Sequence, residues 1–192
     1  MSPTVPNISY FPIERLEDEE LRAALEHAAS HGTPRPESQA VRAHVPEILR
    51  AFSRGWDRAF RNGVCPHDIK ELCRLYVSKT ADCRYCGAQR SGADVSEEAV
   101  ADLADFERSE RFSARERAAL AYARAIAWDP ALADDALWAQ LRRHFTDEQL
   151  VELGWFIGLT LGQQRWIKTV GVRHGELPAS GTAGLAPAAE PA

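Results

Sequence analysis

Two cysteines spaced as Cys-x-x-Cys lie in the stretch TADCRYCGAQRS, residues 80–91. In proteins this spacing serves as a disulfide staple, as half of a metal site, or as a redox-active dithiol. The thiolate is the reactive form of a cysteine, and a helix N-terminus or a neighbouring cation favours it. We predict that Cys83 lies in the first turn of a short helix, with Cys86 one turn later on the same side. Arg84 and Arg90 add positive charge, and Arg90 follows Cys86 by four residues, which on a helix brings the two side chains together.

A carboxylate that could accept a proton from this dithiol precedes it in the chain. Glu71 lies twelve residues before Cys83, on the preceding predicted helix. If the two helices pack antiparallel, the Glu71 carboxylate can reach the cysteine pair and act as a proton acceptor. The apolar stripe of the same helix consists of Ile69, Leu72, Cys73 and Tyr76. Helical spacing therefore predicts that Cys73 faces the core.

Composition narrows the uses of the cysteine pair. The chain has 192 residues, of which 45% are apolar, enough for one domain with a hydrophobic core and no need of a staple. A net charge of -5 offers no basic surface, so we expect no nucleic-acid partner. The first residues lack the pattern of a secretory signal, and no run of 18 apolar residues occurs, so we expect a cytoplasmic protein with no membrane partner.

A zinc site is the main alternative to redox chemistry. A structural zinc ion usually takes four ligands from two close pairs. Cys65 and His67 could form a second pair, but their spacing is atypical and they straddle the start of a helix. We therefore predict no metal and no cofactor. Two buried, unreactive cysteines remain a further alternative, because free cysteine is among the most buried residue types.

Periodicity predicts an all-α protein, a bundle of six to eight helices. Helices are predicted to begin at Pro46 and Pro66, since proline is favoured in the first helical turn. Asp82 is predicted to cap a short helix that runs from Cys83 to about Ser91. The ridge of the Pro46 helix, at spacings of four, consists of Ile48, Phe52, Trp56 and Phe60. Further helix starts are indicated at Ser96, Ser113, Asp134 and Thr146, with capping boxes to Glu116 and Gln149 at the second and fourth of these.

Three regions follow from composition and pattern. Residues 1–43 are predicted to hold an N-terminal helix and a linker over 30–40, residues 44–172 a core domain, and residues 173–192 a disordered tail rich in alanine and proline.

Within the last helix, Gly154, Gly158 and Gly162 fall on one stripe. Each glycine destabilises a helix by about 1 kcal/mol relative to alanine, so the stripe predicts a close approach of another backbone, within the subunit or at a subunit interface.

The pattern E-x11-C-x-Y-C, formed by Glu71, Cys83, Tyr85 and Cys86, resembles the alkylhydroperoxidase D (AhpD-like) and carboxymuconolactone decarboxylase family. The resemblance runs from about residue 46 to 172 and includes the segments GADVSEEAVADL, FSARERAALAYARAIA and FTDEQLVELGWFIGL. It implies an all-helical AhpD-like subunit that assembles as a dimer, trimer or hexamer.

The resemblance also implies a peroxiredoxin-type reaction and roles for four residues. Cys86 would attack a hydroperoxide substrate and become a sulfenic acid, and Cys83 would resolve it as a disulfide. A dithiol protein or a small thiol would then reduce that disulfide. Glu71 would be the base that begins the proton relay. Arg90 stands where the family has histidine, and because arginine stays protonated it can hold the thiolate by charge but cannot shuttle a proton.

Two other functions are weighed against this antioxidant peroxidase. The second branch of the family acts on a small lactone acid and does not need a dithiol. Such a decarboxylase would use a cationic clamp for a carboxylate together with a general base. A non-catalytic, redox-sensing oligomer is the third possibility, since Arg90 interrupts the relay.

Overall fold

The structure, a computed structural model, describes residues 6–31, 34–91, 94–173 and 175–176. Across these residues the chain forms α-helices and short helical turns with no β-strand, which confirms the predicted all-α class. The helices are α1 (Glu19–His31), α2 (Pro36–Arg42), α3 (Pro46–Trp56), α4 (His67–Thr80), α5 (Arg84–Gly87), α6 (Glu97–Asp102), α7 (Ala114–Ala127), α8 (Asp135–His144) and α9 (Asp147–Val170). Their number in this part of the chain exceeds the predicted six to eight, because the seven-residue helix α2 lies where a linker was expected and is too short to show clear periodicity. None of the described helices combines the length and the apolar character that crossing a bilayer requires.

Helix starts agree with the capping residues read from the sequence. The Ser113 side chain accepts from the Glu116 backbone N–H while the Glu116 carboxylate accepts from the Ser113 backbone N–H, a complete capping box. Thr146 and Gln149 form the same reciprocal pair before α9. The Ser96 hydroxyl accepts from the Ala99 N–H before α6. Because each cap satisfies backbone donors that the helix leaves open, these residues determine where the elements begin.

Two expectations about the first half of the chain need correction. The predicted linker over residues 30–40 contains the end of α1 and the first residues of α2, which begins at Pro36. Proline suits this position because the first helical residue needs no N–H donor. On α3, Ile48 is 56% exposed, whereas Phe52 and Trp56 are buried as predicted. The helical stripe therefore begins one turn later than the spacing indicates.

The described residues form two compact units. The first comprises the residues up to 54, residues 88–91 and the residues from 166 onward, and its apolar core consists of Leu16, Leu21, Leu25, Ala43 and Leu49. The second comprises residues 55–87 and 94–165, and its core is formed by α4, α7, α8 and the larger part of α9. The predicted division into 1–43 and 44–172 stays a prediction. The predicted disordered tail lies, beyond Glu176, outside the described residues.

Helix α4 is the central element of the second unit. All residues from Ile69 to Ser78 are buried, so the helix is enclosed on every side rather than on one stripe. Cys73 is fully buried, as predicted, and its thiol lies 3.5 Å from the Ala119 carbonyl oxygen of α7. The charged side chains that α4 carries into this interior must therefore find partners inside the protein.

The glycine stripe of α9 does not mark a close approach of another backbone within the subunit. A Cβ at Gly154 would lie 2.4 Å from the Tyr122 hydroxyl oxygen, so this glycine makes room for a side chain. A Cβ at Gly158 or Gly162 would meet no described atom within 4 Å. Two of the three glycines thus face open space in the single subunit.

Candidate functional site: a dithiol above a buried ion pair

The cysteine pair lies where α4 gives way to α5. Cys83 and Cys86 are joined as a disulfide, with their Cα atoms 5.3 Å apart. The backbone N–H of Cys86 donates to the Cys83 sulfur over 3.3 Å. Cys83 therefore takes the capping position that the sequence assigned to Asp82, which instead adopts a positive φ of 46°. Asp82 is among the residue types that tolerate this conformation, and it turns the chain between the two helices.

A buried ion pair supports the second cysteine. Arg74 and Glu71 are each only 1% exposed, and two guanidinium nitrogens bind the two carboxylate oxygens at 2.6 and 2.8 Å. The remaining terminal nitrogen of Arg74 donates to the backbone carbonyl oxygen of Cys86 over 2.8 Å. Charge-assisted bonds of this two-pronged kind are strong and directional. Glu71 is thus connected to the dithiol through Arg74.

Helix α9 braces the same region from the other side of α4. The Gln164 side-chain amide donates to the Ser78 hydroxyl over 2.9 Å and to the Arg74 carbonyl oxygen over 3.3 Å. The Ser78 hydroxyl also donates to the Arg74 carbonyl oxygen, over 2.9 Å. All three residues are buried. These bonds hold the turn of α4 that carries Arg74 in a fixed position.

An open cleft of about 400 Å³ borders the first cysteine. Its lining consists of Ser78, Lys79, Asp82, Cys83, Arg84 and Gly87. Among the described residues, Cys83 contributes to this lining and Cys86 does not. Lys79, Asp82 and Arg84 are solvent-exposed, so the rim carries two positive charges and one negative charge. The Lys79 ammonium group also donates to the Ala101 carbonyl oxygen over 3.1 Å.

The predicted site residues are only partly brought together. Glu71, Cys83 and Cys86 lie in the second unit and are connected through Arg74. Helix α5 ends at Gly87 rather than near Ser91, so the helical spacing that placed Arg90 beside Cys86 does not apply. Arg90 belongs to the first unit, where its guanidinium donates to the Gln89 carbonyl oxygen over 2.8 Å. Its role at the dithiol stays a prediction.

Sequence reasoning missed Arg74 and Lys79. Arg74 follows Glu71 by three residues, a spacing at which opposite charges pair on a helix, and this signal was available. Lys79 had no such signal, because its place in the cleft depends on the turn at Asp82.

The other two cysteines lie in the second unit away from solvent. Burial raises the pKa of the Cys65 thiol to about 11. Burial also raises the pKa of the Cys73 thiol well above its usual value. In the alternative zinc site, His67 would be the ligand that pairs with Cys65. Its Nδ1 forms a hydrogen bond with the Phe60 carbonyl oxygen. No group of three or more histidine, cysteine or acidic residues in the described ranges is arranged to hold a metal ion.

The loop that leads into α4 is fastened to α9 by a carboxylate. Glu152 accepts from the Lys70 ammonium group at 2.9 Å and from the backbone N–H groups of Val64 and Cys65 at 2.6 and 3.0 Å. Burial opposes ionisation of Glu152, but these donors outweigh it and hold the pKa of the carboxyl below its usual value. A Cβ at Gly63 would lie 2.1 Å from the carboxylate oxygens, so a larger residue there would have to displace the Glu152 carboxylate from these donors.

Comparison with known proteins places the chain in a family. No family model matches the chain. The uncharacterized protein YnjA of Escherichia coli (strain K12) is 31% identical over 147 residues, which cover 65% of this chain and 79% of YnjA. The chain belongs to the same family as YnjA.

Solved structures confirm the AhpD-like fold. The AhpD core of an uncharacterized peroxidase-related protein from Ralstonia eutropha JMP134 has a TM-score of 0.72 at 19% identity, covering 90% of this chain and 93% of that one. An uncharacterized peroxidase-related protein from Silicibacter sp. TM1040 has a TM-score of 0.72 at 20% identity, covering 90% and 94%. A cysteine-to-alanine variant of the debrominase Bmp8, in complex with 2,3,4-tribromopyrrole, has a TM-score of 0.71 at 20% identity, covering 90% and 92%.

Proposed function

We propose that the protein is a thiol-dependent hydroperoxide reductase that works through the Cys83–Cys86 dithiol. The observation that carries the proposal is the placement of the two sulfurs within bonding distance of each other beside an open cleft. A dithiol that can close into a disulfide is what two-electron reduction of a peroxide requires. The AhpD-like fold supports the same chemistry.

The reaction is written in two steps. The Cys86 thiolate attacks the terminal oxygen of the hydroperoxide ROOH, the O–O bond breaks, and the alkoxide takes up a proton and leaves as the alcohol ROH. Cys86 is now a sulfenic acid. The Cys83 thiol then attacks the Cys86 sulfur, the S–O bond breaks, and water leaves with the thiol proton. In sum, one hydroperoxide and one dithiol give one alcohol, one water and one disulfide.

Glu71 is proposed as the acceptor of the thiol proton. Both of its oxygens bind Arg74, and a carboxylate oxygen can accept more than one hydrogen bond. Arg74 keeps the carboxylate oriented and holds the Cys86 backbone at the same time. Arg90 is proposed to favour the thiolate by its charge, since a guanidinium stays protonated.

Assembly and turnover complete the proposal. We expect the subunit to form a homo-oligomer, and the open face at Gly158 and Gly162 is a surface that such an assembly could cover. A dithiol protein or a small thiol is proposed to return the disulfide to the dithiol. A cytoplasmic location, where thiols are kept reduced, stays a prediction.

The test is stoichiometric oxidation of the reduced protein by cumene hydroperoxide. We expect two thiols to disappear within seconds and the mass to fall by two hydrogens, with the disulfide mapped to Cys83 and Cys86. Cys86→Ser should abolish alcohol formation without loss of helix content. Cys65→Ser is the matched control and should leave the reaction unchanged. Peroxide turnover that persists in Cys86→Ser would refute the proposal.

A second candidate is reductive debromination, favoured by the fold that the chain shares with the debrominase Bmp8. The same dithiol would supply the electrons. A carbon–bromine bond breaks, the carbon gains hydrogen, bromide and a proton leave, and the two thiols become a disulfide. The test is bromide release from a bromopyrrole by the reduced protein. If the dithiol is oxidised faster by the bromopyrrole than by cumene hydroperoxide, debromination is favoured over peroxide reduction.

A further inference from the structure

The cleft beside Cys83 has chemistry of its own. It is bounded by Cys83 and by the charged side chains of Lys79, Asp82 and Arg84. In the oxidised protein both cysteines are buried, but Cys83 belongs to the lining of the cleft and Cys86 does not. We propose that the cleft is the binding site of a small anionic thiol reductant, which attacks the disulfide at the Cys83 sulfur. This inference rests on the proposed function, because it concerns the reductive half of the same cycle.

The asymmetry of the disulfide decides which sulfur is attacked. Cys83 lines the cleft, whereas Cys86 does not, and the backbone carbonyl oxygen of Cys86 accepts from the buried Arg74 guanidinium. A thiolate attacks along the line of the S–S bond, so a reductant in the cleft would form its bond to Cys83, the cysteine of the lining, and the Cys86 sulfur would leave. Cys86 would therefore leave as the thiolate, and its backbone carbonyl oxygen accepts from the Arg74 guanidinium that pairs with Glu71.

Reduction of the disulfide by two thiols balances in atoms and electrons, and no further reactant is needed. The reductant thiolate RS⁻ bonds to Cys83, the Cys83–Cys86 bond breaks, and Cys86 leaves as a thiolate. A second thiolate, on the same reductant or on another molecule, bonds to the reductant sulfur. The mixed disulfide then breaks, and Cys83 is released as a thiolate. The protein gains two electrons, the two reductant thiols become one disulfide, and their protons pass to the protein thiols.

The charge at the rim selects the sign of the reductant. Lys79 and Arg84 stand against the single carboxylate of Asp82, which leaves one net positive charge at the mouth of the cleft. These side chains are exposed, so the effect is modest and screened by salt. We expect it to favour an anionic over a neutral thiol by about threefold, and over a cationic thiol by about tenfold, at low ionic strength.

A series of three small thiols tests the charge selection. The wild-type protein is oxidised with diamide, so that its preparation does not depend on peroxide reduction. Reduction by 3-mercaptopropionate, 2-mercaptoethanol and cysteamine is then followed, and each rate is divided by that thiol's rate with 2-hydroxyethyl disulfide. The expected order is anionic, neutral, cationic, with the differences lost in 0.5 M salt. Equal normalised rates for the three thiols would overturn the charge selection.

Variants locate the effect in the cleft. Lys79→Gln and Arg84→Gln should each lower the preference for mercaptopropionate about threefold. Asp82→Asn should raise it by a similar factor, and asparagine is suited to the positive φ at this position. Arg143→Gln is the matched control, because Arg143 is exposed on α8 and does not line the cleft. A preference unchanged in both Lys79→Gln and Arg84→Gln would show that other residues recognise the thiol.

The attacked sulfur can be identified directly. Trypsin cleaves after Arg84 and so separates Cys83, in the peptide TADCR, from Cys86, in the peptide YCGAQR. Oxidised protein is treated with mercaptopropionate in the presence of N-ethylmaleimide, and we expect the mercaptopropionate adduct on TADCR and the maleimide on YCGAQR. The reverse distribution would overturn the assignment.

A second measurement covers an adduct too short-lived to trap. Reduced Cys86→Ser retains only the cysteine that lines the cleft, and reduced Cys83→Ser retains only the one that does not. With dithiodipropionate, an anionic disulfide, Cys86→Ser should form its mixed disulfide at least about tenfold faster, because accessibility limits thiol–disulfide exchange. Faster reaction of Cys83→Ser would refute the proposal. If the reduced protein is not oxidised by peroxide but these results are obtained, the reductant site in the cleft is supported and the proposed peroxidase function is refuted.

Discussion

The buried ion pair below the dithiol makes a quantitative prediction about stability. Glu71 and Arg74 are each 1% exposed and bind through two short contacts. Removing one partner leaves a buried charge without the counter-charge that contacts it, which typically costs about 3–5 kcal/mol. We therefore expect Arg74→Met and Glu71→Gln each to lower the free energy of unfolding by about this amount, or the melting temperature by roughly 6–20 °C for a chain of this size.

The double variant separates pairing from burial. Glu71→Leu combined with Arg74→Met replaces both charges by apolar side chains. This double variant should lose about 2–3 kcal/mol less of the free energy of unfolding than the two single variants lose in sum. Urea unfolding of the reduced protein, followed by far-UV circular dichroism, measures all three variants. Arg111→Met is the matched control, because Arg111 and Asp102 form an exposed pair that should contribute only about 0–1 kcal/mol. Strictly additive losses, or single variants that lose less than about 1 kcal/mol, would refute the reasoning.

Two further predictions concern side chains away from the cleft. Because burial raises the pKa of Cys65 to about 11, its alkylation by iodoacetamide in the native protein should rise about tenfold per pH unit from pH 8 toward that value. A rate that levels off near pH 9 would contradict the burial argument. Gly158→Ala adds a Cβ in open space and should stabilise the protein by about 1 kcal/mol, whereas Gly154→Ala brings a Cβ to 2.4 Å from the Tyr122 hydroxyl and should destabilise it. Thermal melts of both variants check this. A lower melting temperature of Gly158→Ala would show that another protein surface covers this glycine.

Local rules were enough to predict most helix starts. Serine, threonine and aspartate act through hydrogen bonds to N–H groups two or three residues away, so their effect can be read from a few letters. Ser113, Asp134 and Thr146 are confirmed in this way. Pro46 and Pro66 likewise mark the starts of α3 and α4 to within one residue.

Features that depend on the surroundings of a helix were harder to predict. Helix α4 is buried on all sides, and a stripe of apolar residues cannot show that polar positions such as Arg74 and Ser78 are enclosed as well. Arg74 was missed because its role comes from the Cys86 carbonyl oxygen, which reaches it only after the chain has turned at Asp82. Helix α5 ends at Gly87 rather than near Ser91, which removes the helical argument for Arg90.

Two polar attachments of α4 to α9 limit how far the structure changes when the Cys83–Cys86 disulfide opens. Glu152 holds the entry to α4, and Gln164 holds its later turns. These two anchors are separated by about 18 Å along α9, at about 1.5 Å per residue. A rod clamped at two such distant points resists both tilting and sliding. Opening of the Cys83–Cys86 disulfide should therefore deform only the four-residue helix α5 and its flanking turn, and leave the packing of the interior unchanged.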